Sequence, residues 1–420
     1  VFHDALVSFA ERRAIFMKNH NLIIISGEYP PNFIGGVGTL TRNLAVGLTN
    51  RGWNILVLTK GVKEECFFQE GIKVVTLKNY GEIYIKAREK AYQHRMQFLR
   101  NCVRYIEEKY NFIILMDLFL FPEAYIVSKK FKIPLVSFVN QNFEAIFRSE
   151  GQNTYWVSDE YSVDAEDAYY LEKECIRKSF ALIFVSCTLR KQMEQKYGKA
   201  LNHYVIPLGI DIMEMECSSD EVKDREKQTI RIASMGRLSK IKNFDTFIDA
   251  AKLVLKQVNE VEFYIYGKGK EKETLYQRIK EHEIEDKVHI EYYHNRGVVK
   301  HLKACDIAIV PSLYETFGLT LIEFMYLKKP VICSGIDTFK ELIGSSECVI
   351  MMENNKDPYE MTNDILMLIH NRKLGKEIGM KAHDLVVTQY TNECLANRLE
   401  ALLIKLEAEK NEIERYYTNL

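Results

Sequence analysis

Short apolar runs alternate with segments of helical periodicity along almost the whole of this 420-residue sequence. Runs such as Leu22–Ser26, Asn54–Thr59 and Leu135–Val139 are too short for helices and long enough for buried strands. Because a strand, a helix and a second strand form the unit of parallel sheets, this alternation predicts an α/β fold.

The alternation comes in two series, which predicts two domains. The first series reaches His203–Ile206 and the second begins at Ile230–Ser234, with the polar stretch Cys217–Gln228 between them. A chain of 420 residues is too long for one ordinary core. We therefore expect two doubly wound sheets, a surface connection at Cys217–Gln228, and one amphipathic helix over Tyr390–Leu420.

Composition disfavours several classes of protein. The 57 basic and 58 acidic residues nearly cancel, which argues against a nucleic-acid binder that works through bulk charge. Nine cysteines without a C-x-x-C pattern favour a reducing, cytoplasmic location over a disulfide framework. No segment reaches the roughly 18–20 apolar residues that span a bilayer, so we expect at most peripheral membrane contact. The N-terminal segment reads as an amphipathic helix with Arg12, Arg13 and Lys18 on its polar side, not as a signal peptide.

The strongest functional pattern is the pair Glu315 and Glu323. They follow a predicted strand that ends at Val310, and Phe317-Gly318-Leu319 is predicted to open the next helix. Helix N-termini at the carboxyl ends of parallel strands bind phosphates. Eight helical residues rise about 12 Å, whereas the two carboxyls of a retaining glycosidase lie about 5–5.5 Å apart. The glutamates therefore suit two grips on one elongated ligand, with ordinary surface glutamates as the alternative.

A second pattern is the basic loop Gly236–Asn243, which follows the first strand of the second series. Arg237 offers a planar fork of donors and Lys242 a compact charge, and both suit a departing diphosphate. A solvated basic loop is the alternative, and Lys240 competes with Lys242 for the same role.

A glycine-containing turn, Gly35-Gly36-Val37-Gly38, lies between the first strand and the first helix and allows close approach of a ligand. The rival nicotinamide fingerprint is disfavoured because Thr41 stands where its last glycine belongs. Gly267-Lys268-Gly269 and Tyr292–Asn295 are either structural turns or contacts for a nucleotide. The sequence has no H-x-x-x-H or D-x-D pair, so we expect no metal.

In order and spacing, these segments resemble the retaining GT-B glycosyltransferases of the glycosyltransferase group 1 type, family 4. The segments that carry the resemblance are Glu28–Pro31, Gly35-Gly36, Val205–Asp211, Gly236–Leu238, Lys242-Asn243, Ala304–Asp306 and Glu315–Glu323. The resemblance implies two Rossmann-like domains that face a central cleft. It places the acceptor domain at residues 1–208 and the nucleotide-sugar domain at 209–388, with a helix at 389–420 that returns to the first domain.

The resemblance also implies roles for individual residues. Arg237 and Lys242 would bind the diphosphate and, with Glu315, form the catalytic set. Glu323 would bind the ribose, and Gly35 and Gly36 would approach the phosphate from the first domain. Glu315 would contact the sugar, and Thr320 would contact the phosphates. The other residues of the implied donor-binding segment are Thr316, Phe317, Gly318 and Leu319. No metal or other cofactor is implied.

The implied reaction is front-face transfer of a sugar, with retention, to a hydroxyl on a glycan, small molecule, protein or lipid-linked acceptor. UDP is the commonest nucleotide in the family, with GDP and ADP as alternatives. Many relatives carry a histidine after the strand equivalent to Leu135–Val139, whereas here Asn140 stands there as a sugar contact that cannot titrate. A GT-B sugar-nucleotide epimerase and a non-catalytic nucleotide-sugar-binding subunit remain alternative functions.

Overall fold

A computed structural model describes residues 20–31, 36–61, 63–78, 88–106, 109–150, 154–156, 162–199, 202–216, 229–293 and 295–409. Five of the features predicted above lie wholly or partly outside these ranges: the amphipathic segment at the N-terminus, Gly35, the connection Cys217–Gln228, the segment Tyr292–Asn295 at residue 294, and the last part of the predicted terminal helix.

The first domain is built on an eight-stranded sheet of order β10-β9-β6-β5-β1-β2-β4-β3. Its strands are β1 (Asn21–Ser26), β2 (Asn54–Gly61), β3 (Glu65–Gln69), β4 (Ile72–Lys78), β5 (Phe112–Leu115), β6 (Leu135–Val139), β9 (Ala181–Phe184) and β10 (His203–Val205). All neighbours pair in parallel except β3, which pairs antiparallel with β4 at the edge. A separate antiparallel pair joins β7 (Thr154–Trp156) to β8 (Ser162–Asp164).

The second domain is built on a six-stranded parallel sheet of order β13-β12-β11-β14-β15-β16. Its strands are β11 (Ile230–Met235), β12 (Val261–Tyr266), β13 (Val288–Glu291), β14 (Ile307–Val310), β15 (Val331–Ser334) and β16 (Ile350–Met352). In each sheet the first strand lies between its successor and a later strand, so both are doubly wound. The predicted fold class is confirmed.

Helices cover the sheets. In chain order they are α1 (Gly36–Thr49), α2 (Arg88–Val103), α3 (Phe121–Phe131), α4 (Phe143–Glu150), α5 (Ala165–Lys178), α6 (Cys187–Tyr197), α7 (Ile212–Glu216), α8 (Phe244–Leu255), α9 (Lys272–Glu281), α10 (Val299–Lys303), α11 (Leu319–Tyr326), α12 (Asp337–Ile343), α13 (Pro358–His370), α14 (Arg372–Gln389) and α15 (Asn392–Ala408). The strands read as near-continuous apolar runs because both faces of each sheet are covered.

The helix α15 returns from the second domain to the first. Thr391 starts it by accepting a hydrogen bond from the Cys394 amide at 3.1 Å, so the helix begins two residues later than predicted. Its leucines join the same buried cluster as Leu44 and Leu48 of α1. Gly47 permits this packing, since a Cβ there would lie 2.8 Å from the Cβ of Ala396.

The chain crosses between the domains at two adjacent places. Ile210 forms a parallel bridge with Thr391, in which the Ile210 amide donates to the Tyr390 carbonyl at 2.9 Å and the Asn392 amide donates to the Ile210 carbonyl at 2.9 Å. A side chain on Gly209 would collide with the backbone of Thr391. The two crossing segments therefore form one short double-stranded joint.

Candidate active site

Two loops meet where the order of strands reverses in the second sheet. Residues 236–243 follow β11 and residues 311–318 follow its neighbour β14. The two loops are hydrogen-bonded, because the Leu313 amide donates to the Ile241 carbonyl at 2.8 Å. A crevice outside the carboxyl ends of two such strands is the usual ligand site of a doubly wound sheet.

The crevice contains an ion pair between Lys242 and Glu315. The Lys242 Nζ contacts Glu315 Oε1, and the two side chains are 17% and 16% exposed. The Ser312 hydroxyl donates to the same Oε1 at 2.9 Å. Both bonds use one carboxylate oxygen, so Oε2 lies outside them. Lys240 is exposed, and Lys242 is the lysine of this turn that is paired with Glu315.

Glycine makes room for the lysine. Gly236 has φ 155°, and a Cβ there would lie 3.2–3.5 Å from the methylenes of Lys242. The neighbouring glycines Gly267 and Gly269 serve a different purpose, since a side chain on either would collide with the backbone of Gly236 or Leu238. The Leu238 amide also donates to the Lys268 carbonyl at 2.9 Å. The Gly267–Gly269 segment is thus a structural turn that supports the basic loop.

The start of α11 forms the next part of the wall. Gly318 has φ 113° and is the residue before the helix, where a Cβ would lie 2.6 Å from Cε1 of Phe339. Phe317 is buried, with its ring 6.0 Å from that of Tyr390. Thr320 and Glu323 are half-buried on α11 itself. The helix thus begins at the crevice and carries Glu323 one turn farther along its axis.

The first domain faces this helix through Gly36. It is the exposed first residue of α1, and a Cβ there would lie 3.7 Å from Cδ1 of Leu319. The Glu28 carboxylate accepts from the Gly38 amide at 3.2 Å and holds the start of α1. Gly36 and the α11 start are therefore close enough to contact one ligand from opposite sides.

Asn140 lies at a contact between the domains. Its side-chain Nδ2 donates to the Met116 carbonyl at 3.3 Å, and the main-chain carbonyl of Asn140 accepts from Thr316 Oγ1 at 2.9 Å. The residue predicted to contact the sugar therefore adjoins the donor segment through Thr316.

The structure brings most of the predicted residues to one crevice and leaves one at its edge. The group around the Lys242–Glu315 pair consists of Gly36, Asn140, Thr316, Phe317, Gly318, Leu319, Thr320 and Glu323. Arg237 lies on the same loop as Lys242 but is exposed. Tyr292 and Tyr293 lie beyond Lys268, whose Nζ is 5.1 Å from the Tyr292 ring centre.

Sequence reasoning missed Asp117. It follows β5, and Gly27 follows the adjacent β1, so the two lie where the strand order of the first sheet reverses. A side chain on Gly27 would collide with Asp117 Oδ2 and would lie 3.7 Å from Cε of Lys60. The other carboxylate oxygen, Oδ1, accepts from the Phe119 amide at 3.0 Å. A lone carboxylate directly after a buried strand was the available signal.

Two negative findings apply to the part of the chain that the structure describes. No three side chains among His, Cys, Asp and Glu come together there as a set of metal ligands. None of the described helices combines the length and the apolar character that crossing a bilayer requires.

Comparison with known families matches two profiles in succession. The profile "Glycosyltransferase Family 4" matches residues 34–214, and "Glycosyl transferases group 1" matches residues 218–385. The two matches follow one another along the chain and together take in the second sheet and all of the first except β1, which ends at Ser26.

Two curated proteins are similar over parts of their length. Poly(ribitol-phosphate) alpha-N-acetylglucosaminyltransferase from Staphylococcus aureus is 30% identical over 175 residues, which are 40% of this chain and 34% of that protein. Alpha-D-kanosaminyltransferase from Streptomyces kanamyceticus is 21% identical over 243 residues, 56% of this chain and 63% of that protein. The chain thus spans about one third to two thirds of the length of these relatives.

Solved structures share the fold over nearly the whole chain. Sucrose-phosphate synthase from Thermosynechococcus elongatus has a TM-score of 0.76 at 17% identity, covering 93% of this chain and 100% of that one. HepE from Anabaena, solved in complex with UDP and glucose, has a TM-score of 0.72 at 18% identity, covering 92% and 99%. At such identities the likeness shows the two-domain fold.

Proposed function

The chain belongs to the group 1 glycosyltransferases, and from that premise we propose that it transfers a sugar from a nucleotide-diphosphate sugar to a hydroxyl acceptor, with retention of configuration. The observation that carries the proposal is the Lys242–Glu315 pair, which lies in the crevice between β11 and β14 and opposite Gly36.

Lys242 supplies the charge that bond cleavage requires. As the bond between sugar and diphosphate breaks, negative charge grows on the departing phosphate, and a cation that is already in place stabilises it without reorganisation. Gly236 gives the lysine its position, and Arg237 on the same loop adds a planar fork of donors. The start of α11 contributes the positive end of a helix dipole.

The carboxylates grip the neutral parts of the donor. Glu315 is held through Oε1 by Lys242 and Ser312, which leaves Oε2 to accept from a sugar hydroxyl. Glu323, on the half-buried face of α11, accepts from the ribose. The two carboxylates then bind different parts of one ligand. The helix begins at Leu319, after Glu315, so the rise of eight helical residues assumed from the sequence does not apply.

The acceptor hydroxyl approaches from the first domain. It attacks the anomeric carbon from the face that the diphosphate leaves, and the departing phosphate takes its proton. Asn140 carries no titratable group, so this route asks no side chain there to act as a base. Asp117, between Gly27 and Lys60, is placed to accept a hydrogen bond from an acceptor hydroxyl.

We further propose UDP as the nucleotide, a reaction that needs no metal, and a cytoplasmic location. UDP has support from the fold neighbour HepE, whose structure was solved with UDP and glucose. The absence of a D-x-D motif in the sequence supports the metal-free route.

The test is a panel of UDP-, GDP- and ADP-sugars, each incubated with the protein and a set of simple glycoside and glycerol-phosphate acceptors. Mass spectrometry detects transfer or slow donor hydrolysis, and NMR of the product reports the anomeric configuration. Turnover with one donor, undiminished by EDTA, is expected. An epimerised free sugar would replace the proposal with an epimerase, and tight nucleotide binding without turnover would indicate a binding subunit.

A further inference from the structure

The segment Tyr314–Thr316 divides its contacts between the two domains. Glu315 is bonded within its own domain, as described above. Its neighbours turn the other way: the Tyr314 hydroxyl donates to Gln192 Oε1 at 2.8 Å, and Thr316 Oγ1 donates to the Asn140 carbonyl at 2.9 Å. The backbone on both sides of the Glu315 carboxylate is therefore held by the first domain.

Gln192 joins this segment to the loop after β6. Its Oε1 accepts a second hydrogen bond, from Asn142 Nδ2 at 2.9 Å. Asn142 in turn accepts from the Ala145 amide at 3.2 Å, which caps α4. Burial also raises the pKa of Tyr314 above its ordinary value. One amide oxygen thus ties together the loops that carry Glu315 and Asn140.

The helix that carries Gln192 is anchored to the second domain. The Glu341 carboxylate accepts from the Cys187 amide at 2.6 Å, and from the amide and hydroxyl of Thr188, both at 2.7 Å. Ser186 Oγ also donates to the Thr316 carbonyl at 2.7 Å. A carboxylate at a helix N-terminus is stabilised by the helix dipole, so α6 keeps a fixed place against the donor loop.

A buried carboxylate fixes the start of α4 against α6. Glu172 is 1% exposed and accepts from the Phe143 amide at 3.1 Å and from Lys196 Nζ at 3.0 Å. The Tyr197 hydroxyl donates to it as well. Breaking the hydrogen bonds of a buried carboxylate costs free energy, so Glu172 keeps the start of α4 in place against α6.

We propose that Gln192 is a positioning residue for sugar transfer: it holds the loop at 140–142 and the segment Tyr314–Thr316 in register, so that Glu315 and the acceptor side meet the same sugar. The proposal rests on the proposed function. Gln192 acts through Tyr314 and Asn142 and contacts neither substrate in this role. It therefore governs the alignment of the two half-sites and leaves the affinity for the nucleotide unchanged.

The test compares five variants with the wild type, four single variants and the double variant Gln192→Leu/Tyr314→Phe. Gln192→Leu removes the accepting oxygen, Tyr314→Phe removes the donor, and Gln192→Glu keeps an accepting oxygen at the same reach. Tyr276→Phe is the control, since its hydroxyl donates to the Ile290 carbonyl at 3.1 Å in the second domain, on the distant helix α9.

Gln192→Leu and Tyr314→Phe are each expected to lower kcat about tenfold, because a misaligned Glu315 raises the activation free energy by about 1.4 kcal/mol. The nucleotide Kd should stay within about twofold, Gln192→Glu should retain kcat within about threefold, and Tyr276→Phe should behave as wild type. The double variant should be no slower than the slower single variant, since both remove one connection. Undiminished kcat in either single variant, an additive double variant, or a Gln192→Glu as slow as Gln192→Leu would overturn the proposal.

Hydrogen exchange separates this proposal from the proposed function. If the wild type transfers no sugar, the proposed function fails, yet the link that Gln192 forms between the two loops can still be measured. Peptides covering residues 141–150 and 311–318 should both exchange faster in Gln192→Leu and in Tyr314→Phe, and unchanged exchange would reject the role of Gln192. If Gln192→Leu does not fold, Tyr314→Phe alone decides the outcome.

Discussion

The two sheets of this protein make the same arrangement at their switch points and fill it with opposite charges. In each, a glycine follows the first strand and leaves room for a charged side chain. Over Gly236 the side chain is the cation Lys242, and over Gly27 it is the carboxylate of Asp117. A cation suits an anionic diphosphate and a carboxylate suits a hydroxyl, so the difference supports the proposal that the donor binds on one side and the acceptor on the other.

The two sides also differ in how tightly they are built. On the donor side Glu315, Lys242 and Ser312 bind one another, and Gly318 is enclosed by Phe339. On the side of the first domain Gly36, the predicted phosphate contact, is exposed, and a Cβ there would make only an ordinary contact with Leu319. A shared donor needs a pre-formed site, whereas an acceptor specific to each enzyme is accommodated by loops that vary.

Lys242→Ala should give the largest effect, because it removes the cation from the donor switch point. We expect kcat to fall about 100- to 1,000-fold, the usual loss when one stabilising group of a charged transition state is deleted. Steady-state kinetics with the preferred donor measures it. The matched control is Lys240→Ala in the same turn, whose side chain is exposed and should be dispensable; equal losses in the two variants would contradict the assignment.

Gly318→Ala tests the tightness of the donor side through stability. A residue at φ 113° is strained with any Cβ, and this Cβ would lie 2.6 Å from Phe339. We expect a loss of about 2–4 kcal/mol in stability, seen as a lower midpoint in thermal unfolding. Gly36→Ala is the counterpart in the first domain, where the new Cβ makes an ordinary 3.7 Å contact, and its midpoint should not change. Similar midpoints for both variants would erase the contrast.

Asp117→Asn should give the smallest effect and falls on the acceptor alone. The amide keeps the shape of the side chain but accepts more weakly, so the acceptor KM should rise about tenfold. The KM for the donor and the rate of donor hydrolysis should not change. A raised KM for the donor would show that Asp117 acts on the donor and would contradict its assignment to the acceptor.

The sequence predicted those parts of the site that depend on local order. A strand end, a glycine and a polar residue within ten positions locate the Gly236–Asn243 loop and the Glu315–Glu323 segment, and the structure places both beside one crevice. The choice between Lys240 and Lys242 required the fold, since only the three-dimensional course of the turn brings Lys242 to Glu315.

The parts that were missed depend on contacts between distant residues. Asp117 is defined by its closeness to Gly27, and Gln192 by its bond to Tyr314. The one local signal for Asp117 is a carboxylate after a buried strand, and Gln192 has none. The sequence did not predict the edge strand β3 either. The run Glu65–Gln69 is short, has a polar residue at each end, and pairs antiparallel in an otherwise parallel sheet. Register and partner choice of this kind are properties of tertiary packing.

The return of α15 has a consequence for how the protein is made. A ribosome delivers the first domain long before residues 392–408, yet Leu44 and Leu48 of α1 lie in one buried cluster with the leucines of that helix. Until then the nascent first domain exposes the apolar surface that this helix covers in the folded chain. Shortening the chain within α15 therefore injures the domain that was synthesised first, rather than the one next to the cut.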